Sequence, residues 1–365
     1  MKVVGGSGGV VNVEGRQKDV AGGAIDTERV VFHDGSAITG LVTPGVPSAQ
    51  ELGRSIVAFG EGSDTVRIFG SPGAADPAVG AESGRLDVLH PSGSWTPLDA
   101  HAPSHGTGDR VGSALAVGDF DGDGWDDLAV AAAHDSRPST LEGFASTCGA
   151  GSVARGGSVA VFLSDAGDLP AEPSFVVYGS TPSGTVRGLI GGFDHDGDDR
   201  ADLAIAFGGS TPTVAIVDGR PAGAGIVEIC PDEVYTGPAG ADLGSALAVL
   251  GRVDGDACDA IAIGARLEDA AVPDEGAVYV LWGAGSGCTA TAPQISHITS
   301  GVPASQAGAA LAGGFDLTGD GEPDLAVGGP ERGQSGVQTG AVWVAQGSWL
   351  SGLDRAPASG TTLPT

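Results

Sequence analysis

Short apolar runs, bounded by polar and glycine-rich segments, recur along the whole chain. Residues 128–131 read Leu-Ala-Val-Ala and residues 203–206 read Leu-Ala-Ile-Ala, and no segment carries apolar residues at helical spacing. Runs of this length between clusters of glycine and proline are typical of β-strands. Because consecutive positions are apolar, both faces of these strands are predicted to be buried between neighbouring sheets.

The runs follow a fixed order that predicts four strands in each unit. In the clearest unit, a strand of small apolar residues (113–117) precedes an acidic loop and the second strand (128–131). A variable loop leads to a third strand that opens with glycine (157–162), and a less regular fourth strand follows (175–179). Four antiparallel strands repeated along a chain predict the blades of a β-propeller.

Six such units occur in 365 residues, or about one per 60, and a period of this order is typical of propellers and solenoids. We therefore predict an all-β fold with four-stranded antiparallel blades in a single propeller domain spanning residues 1–365. Six repeats are visible in the sequence, and a seventh blade is left open. The approximate repeats are 1–50, 51–108, 109–183, 184–239, 240–303 and 304–365.

The loop between the first two strands carries the candidate chemistry. Residues 119–127 place aspartates at loop positions one, three, five and nine. Like charges this close repel one another unless a cation lies between them, and calcium accepts six to eight oxygens in irregular geometry. No glutamate follows at position twelve and the flanking segments are β-like, which excludes an EF-hand. The sequence predicts a calcium loop inside a hairpin, and a solvated acidic turn is the alternative.

The acidic loop recurs in complete and incomplete copies. Complete copies span residues 194–202 and 316–324, and a shortened copy spans 252–259. Two worn copies, at 12–15 and 61–64, are predicted to bind nothing. In the shortened copy Arg252 stands where the first carboxylate belongs, and we interpret it as a substitute for calcium against Asp254 or Asp256, since a guanidinium can bridge carboxylates.

Taken in order, the glycine-led first strand, the acidic loop, the strand at 128–130 and the glycine-led strand at 157–161 resemble the FG-GAP repeats of the integrin α-subunit propeller and its bacterial relatives. The resemblance is strong over residues 105–347 and weaker before them, and propellers of that family often have seven blades. It implies about three structural Ca²⁺ ions, each held by side chains at positions one, three, five and nine and by a backbone carbonyl at position seven. The implied ligand residues are Asp119, Asp121, Asp123, Trp125 and Asp127; Asp194, Asp196, Asp198, Arg200 and Asp202; and Asp316, Thr318, Asp320, Glu322 and Asp324. Since Thr318 replaces a carboxylate, the third site is expected to be the weakest.

The charge balance narrows the classes of partner. The chain has 46 acidic residues against 17 basic ones, for a formal net charge of −29. Phosphate backbones would be repelled, so we expect no nucleic-acid partner. No apolar run is long enough to span a bilayer, so we expect no membrane insertion. The acidity fits a secreted protein or one from a saline habitat.

Four cysteines without C-x-x-C spacing favour disulfides over zinc and therefore an oxidising compartment, while free thiols in the cytosol are the alternative. Residues 1–5 are too short for a signal peptide, and we expect a secreted or cell-surface protein trimmed from a longer precursor. In the predicted strand order, Cys258 and Cys288 lie on the same side of one blade. We predict a Cys258–Cys288 disulfide, with Cys230–Cys258 as the alternative, and a free thiol at Cys148.

No motif in the chain indicates catalysis, and we expect that the protein is not an enzyme. The three variable loops between second and third strands, at 134–156, 266–275 and 330–339, are the predicted contact surface, because loops on a rigid scaffold commonly carry binding. The favoured function is adhesion or binding of a protein or glycan by a monomer or by part of a larger surface protein. The alternatives are a domain accessory to a secreted hydrolase or lyase, and a structural spacer.

Overall fold

The structure is a computed structural model that describes most of the chain beyond residue 50. Residues 1–50 are described only as the backbone of four strands, and the strands at 145–146, 333–334, 337–338 and 360–362 are likewise described by their backbone alone. The remaining described residues are 51, 53–60, 65–76, 79–139, 148, 151–223, 226–285, 287–288, 290–330, 340–355 and 363.

Short strands account for nearly all the regular structure. The first half contains β1 (Lys2–Gly6), β2 (Val10–Gln17), β3 (Thr27–His33), β4 (Ile38–Pro47), β5 (Ser55–Phe59), β6 (Val66–Gly70), β7 (Leu86–Leu89), β8 (Trp95–Leu98), β9 (Val111–Gly118), β10 (Asp127–Ala132), β11 (Ala145–Ser146), β12 (Ser158–Phe162), β13 (Phe175–Tyr178) and β14 (Val186–Phe193). The second half contains β15 (Asp202–Phe207), β16 (Thr213–Val217), β17 (Val227–Glu228), β18 (Glu233–Thr236), β19 (Leu243–Gly251), β20 (Ala260–Ala265), β21 (Ala277–Trp282), β22 (Gln294–Thr299), β23 (Ala310–Phe315), β24 (Asp324–Gly329), β25 (Gly333–Gln334), β26 (Val337–Gln338), β27 (Ala341–Ala345), the helix α1 (Gly347–Leu350) and β28 (Gly360–Thr362).

The chain forms two compact units. The first comprises residues 1–117, 126–178 and 225–228, and the second comprises residues 118–125, 179–224 and 229–365. Several four-stranded antiparallel sheets follow one another along the sequence, one sheet to each predicted repeat up to residue 303. The all-β prediction is confirmed at this level, and the sheets are consistent with a propeller-like domain. The single-domain assignment and the number of blades stay predictions.

Three sheets belong to the first unit. The strands β1–β4 and β5–β8 form two antiparallel meanders in chain order. The third sheet contains β9, β10, β12 and β13, and β17 and β11 extend it at the β13 edge as short parallel strands. Its central strands β10, β12 and β13 are buried at every position, as their continuous apolar runs predict.

The two worn copies of the acidic loop have different outcomes in the structure. Residues 12–15 lie inside β2, where they pair with β3, so the interpretation of this stretch as a decayed loop is wrong. Its alternating valines allow it to continue as a strand, since the period of two is the stronger local signal. Residues 61–64 lie outside the described part of the chain.

The second unit contains three sheets besides the two-stranded pair β25–β26. One contains β14, β15, β16 and β18, the next contains β19–β22, and the last contains β23, β24 and β27. After β27 the chain forms α1 and then returns to the preceding sheet, where β28 pairs in parallel with β22. The central strands β15 and β20 are fully buried, and Trp282, Trp343 and Leu350 contribute to one continuous apolar core.

Candidate metal centre

The three complete acidic loops share one backbone conformation, held by the aspartate at position one. In each loop, one carboxylate oxygen accepts the N–H groups of positions four and five, and the other accepts the N–H of position six. The distances are 2.8, 3.0 and 2.9 Å for Asp119, 2.7, 3.2 and 3.1 Å for Asp194, and 2.5, 3.1 and 3.0 Å for Asp316. Each loop is therefore a turn whose backbone is held by its position-one carboxylate.

Position six of the loop requires a left-handed backbone. Gly124 and Gly321 take φ values of 92° and 89° there, whereas the second loop places Asp199 at φ 67°. Glycine adopts this region freely, while a residue with a Cβ is disfavoured in it. The second loop therefore carries local strain that its two counterparts lack.

The aspartate at position nine is fully buried in all three loops and is held by backbone N–H groups. Asp127 accepts the N–H of Ser164 at 2.6 Å. Asp202 accepts the N–H groups of His195 at 2.6 Å and Gly219 at 2.8 Å. These bonds attach the end of each loop to its own sheet and fix the carboxylate in place.

The first two loops bring the aspartates of positions one, three and nine together. In each loop these three residues offer carboxylate oxygens within 4.8 Å of one another, an arrangement that could hold a metal ion. The residues are Asp119, Asp121 and Asp127 in the first loop and Asp194, Asp196 and Asp202 in the second. Hard carboxylate oxygens of this kind suit calcium or magnesium better than softer metals.

The residues at positions five and seven lie outside these clusters and interact with each other. The N–H of Trp125 donates to Asp123 at 2.9 Å, and that of Arg200 donates to Asp198 at 3.0 Å. The Arg200 guanidinium also binds the Asp198 carboxylate. The assignment of these four residues as ligands, including the carbonyls at position seven, stays a prediction.

The electrostatics of the clusters favour a cation. Burial, and then the neighbouring carboxylate at position five, raise the pKa of Asp121 and of Asp196. Burial raises the pKa of Asp202 to about 8. Each shift means that negative charge is poorly solvated and crowded, and a divalent ion would relieve both conditions.

The third loop is more open than the other two. Its position-nine residue Asp324 accepts N–H groups from Leu317 and Thr318 at 2.7 Å and from Gly347 at 2.8 Å. Within the described residues, no three acidic ligand atoms of this loop lie within 4.8 Å of one another. Asp316, Thr318 and Asp320 are exposed to solvent, and Glu322 is partly buried. The third site and its weaker binding stay predictions.

The first two loops also dock against the sheet that follows them, and the third does not among the described contacts. Carbonyls of Asp119 and Phe120 accept the N–H groups of Ala201 and Arg220 at 2.8 and 2.7 Å, and the Phe120 ring is buried. In the second loop, the carbonyls of Asp194 and His195 accept the N–H groups of Asp259 and Ala284 at 2.6 and 2.9 Å. In the third loop the residue at this second position, Leu317, is 51% exposed.

The arginine that pairs with Asp254 in the shortened loop is not the one that the sequence predicts. Arg252 lies 3.8 Å from Asp259 and its side chain is 56% exposed, so its assignment to Asp254 or Asp256 is wrong. Arg355 binds Asp254 instead, at 2.8 Å. Local sequence favoured the arginine inside the loop, whereas the fold supplies one from a segment about a hundred residues further on.

The predicted Cys258–Cys288 disulfide is confirmed, with Cα atoms 5.4 Å apart. The predicted free thiol at Cys148 is wrong, because Cys148 and Cys230 are both disulfide-bonded and no described cysteine is free. The reason is the parallel pairing of β11 with β17, in which Ser146 lies opposite Glu228. Cys148 and Cys230 each follow these paired residues by two positions.

Two of the variable loops are anchored by buried charges. Arg137, at the start of the 134–156 loop, forms a buried ion pair with Glu228. In the 266–275 loop, Glu275 is fully buried and accepts N–H groups from that loop and from Gly301. Between the buried ends Glu268 and Glu275, residues 269–274 are mostly exposed. The described residues of the 330–339 loop include the strands β25 and β26.

A buried polar network lies beneath the 134–156 loop. Asp135 accepts hydrogen bonds from the hydroxyls of Ser104 at 2.7 Å and Ser158 at 2.6 Å, and Ser104 also contacts the Tyr178 hydroxyl at 2.7 Å. Burial raises the pKa of Asp135 to about 6 and also raises the pKa of Tyr178. These hydrogen bonds fix the base of the loop.

Comparison with known proteins gives two matches. The FG-GAP repeat family model matches residues 111–162 and 307–345, which contain the first and third acidic loops. A stretch of 91 residues is 43% identical to integrin alpha-X of Mus musculus. That stretch covers 24% of this chain and 8% of the integrin, so the similarity concerns a small part of the relative. In the described parts of the chain, no helix has the length and apolarity needed to cross a membrane.

Proposed function

Because the chain is an FG-GAP repeat protein similar to integrin α subunits, we propose that it is a calcium-stabilised binding or adhesion module. The observation that carries the proposal is the clustering of three aspartates in each of the first two loops. The FG-GAP repeats of integrins bind divalent cations, and the oxygen donors of these loops fit such an ion.

The metal is proposed to act on stability. Asp119, Asp121, Asp123 and Asp127 would hold one ion, Asp194, Asp196, Asp198 and Asp202 a second, and Asp316, Thr318, Asp320 and Asp324 a weaker third. The carbonyls of Trp125, Arg200 and Glu322 would complete the three sets. A bound ion neutralises crowded carboxylates inside a turn, and its binding energy adds to the free energy of unfolding. Calcium is proposed rather than magnesium, because calcium accepts irregular coordination by a loop, whereas magnesium demands near-ideal octahedral geometry.

The contact surface is proposed to be the variable loops at 134–156, 266–275 and 330–339. Support comes from the anchoring of the 266–275 loop, whose ends are buried while residues 269–274 are mostly exposed. Such a loop can present side chains at little entropic cost on binding. The partner class is a protein or a glycan, and no nucleic-acid partner is proposed for a chain of net charge −29.

The proposed location is extracellular, either secreted or at the cell surface. The disulfides and the integrin relative support it, since disulfides persist mainly in oxidising compartments. FG-GAP and integrin-like propellers are generally non-enzymatic, and no catalytic role is proposed. A role beside a secreted hydrolase or lyase, or as a spacer in a larger surface protein, is the alternative to binding.

The decisive experiment is a glycan and protein array probed with the full chain in calcium and in chelator. A matched variant carries residues 270–272 in scrambled order, with Glu268, Asp269, Pro273, Asp274 and Glu275 retained, so that the backbone N–H groups bound by Glu275 are kept. We expect a ligand bound by the wild type, with reduced binding by the variant at unchanged melting temperature. Binding that is indifferent to the scrambled loop would reject this surface, and the absence of any ligand would favour the spacer.

A further inference from the structure

The shortened loop at 252–259 contains a mostly buried carboxylate, Asp254, whose counter-charge comes from elsewhere in the chain. The side chain of Asp254 is only 11% exposed, and it stands at loop position three, which is a cluster residue in the first two loops. A desolvated carboxylate is costly unless it is paired. Arg252 replaces the position-one carboxylate, so this loop lacks the cluster of three aspartates that could hold an ion. Asp254 therefore needs a different counter-charge.

Arg355 provides that neutralisation in two ways. Its Nη2 atom lies 2.8 Å from Oδ2 of Asp254, and its Cζ atom lies 4.1 Å from the centroid of the Trp282 ring. A guanidinium is planar, so it can donate to a carboxylate while its face stacks on an aromatic ring. An ammonium group cannot make the second contact with the same geometry.

Burial and hydrogen bonds hold the groups that surround this guanidinium. Trp282 is 1% exposed, and its indole N–H donates to the Ser296 hydroxyl at 2.8 Å. The same hydroxyl donates to the carbonyl of Asp354 at 2.8 Å, which fixes the residue next to Arg355. Leu353 and Leu363 are buried on either side along the chain, and β28 pairs with β22. The ring, the hydroxyl and the backbone therefore hold one position for the arginine.

We propose that Asp254 and the face of Trp282 form a guanidinium-binding site that the chain fills with its own Arg355. The ligand class is an arginine side chain or an alkylguanidinium ion. In this loop the guanidinium takes the part that a divalent ion is proposed to take in the complete loops. The site is therefore independent of metal, and it ties Arg355 to the β19–β22 sheet, which β28 also joins.

Chemical rescue tests the site. Arg355→Ala should lower the melting temperature by about 2–6 °C, equally in calcium and in chelator, since a partly buried pair and a stacked ring are lost. Ethylguanidinium at millimolar concentration should restore part of that loss, whereas ethylammonium should not. Arg252→Ala is the matched control, because its side chain is more than half exposed and its nearest carboxylate lies 3.8 Å away, and it should change the melting temperature little.

Either of two results would overturn the proposal. One is an Arg355→Ala protein as stable as the Arg252→Ala control, and the other is equal rescue by both ions. If Arg355→Ala does not fold, NMR of the unmodified chain decides. Stacking on Trp282 should give one arginine Nε–H resonance a ring-current shift that disappears in Arg355→Lys, and a spectrum without such a resonance would contradict the site.

Discussion

The complete loop at 194–202 and the shortened loop at 252–259 make similar turns with opposite electrostatic solutions. In both, the N–H at position seven donates to the aspartate at position five, from Arg200 to Asp198 and from Cys258 to Asp256. The complete loop gathers three carboxylates that could hold an ion, while the shortened loop has Arg355 and a disulfide at Cys258. The comparison teaches that part of the turn is kept without the position-one carboxylate when an arginine provides a counter-charge and a disulfide cross-links the loop.

Removing the disulfide should have the largest effect on the shortened loop. The Cys258–Cys288 bridge closes a loop with a sequence separation of 30 residues. Cys258→Ala with Cys288→Ala should lower the free energy of unfolding by roughly 3–4 kcal/mol in the chain-entropy account. Urea unfolding in calcium and in chelator measures it, and we expect the same loss in both. A loss confined to chelator would mean that this loop, too, is held by metal.

A matched pair at loop position three separates the two solutions. Asp196→Asn should abolish the calcium-dependent part of stability contributed by the second loop, about 2–3 kcal/mol at calcium a hundredfold above its dissociation constant. Asp254→Asn should lower stability in chelator and leave the calcium response intact, because it breaks the contact with Arg355. Thermal melts across a calcium titration measure the stability of each variant in chelator and its increase with calcium. Identical calcium responses in the two variants would reject the distinction.

In the first unit, the dependence of stability on pH tests the cost of burying a carboxylate at Asp135, away from the acidic loops. Burial raises the pKa of Asp135 from 3.8 to about 6, so the folded state retains a proton that the unfolded state releases in that window. Stability should therefore fall as pH rises from about 4 to 6, on the order of 1–3 kcal/mol, and the loss should be complete above pH 6.

Asp135→Asn removes the ionisation while keeping an oxygen that can accept from Ser104 and Ser158. The difference in unfolding free energy between this variant and the wild type, both in chelator, should change across the same pH window. A constant difference from pH 4 to pH 7 would show that Asp135 titrates normally in the folded protein.

The smallest effect concerns the strain in the second loop. Asp199→Gly replaces a residue at φ 67° with the glycine found at the equivalent position of the other two complete loops. It should stabilise the protein by about 0.5–1 kcal/mol, because glycine adopts this conformation without a Cβ clash. Urea unfolding in chelator measures the change. A destabilised variant would mean that the Asp199 side chain makes a compensating contact.

Sequence reasoning could predict the elements whose signal is local. The apolar runs identified β10, β15 and β20, and the spacing of aspartates identified loops that form clusters. The order of strands placed Cys258 near Cys288 because both lie in loops at one end of one predicted sheet.

What could not be predicted depends on contacts between distant segments. The strands β11 and β17 have two residues each, too few to show any period, and they determine the surroundings of Cys148. Arg355 lies about a hundred residues after the loop whose Asp254 it contacts. The sequence therefore favoured Arg252, which lies inside the loop but does not contact Asp254. Both errors arise because pairing across the chain leaves no trace in local composition.

The dependence of Asp254 on Arg355 also has a consequence in time. A complete loop has its acidic residues within nine positions, so a free cation can reach it as soon as that loop leaves the ribosome or translocon. The shortened loop must wait for residues 255–355, a delay of roughly 5–20 s at common elongation rates. During that interval Asp254 lacks the guanidinium of Arg355, so completion of the β19–β22 sheet is expected to be among the last steps of maturation.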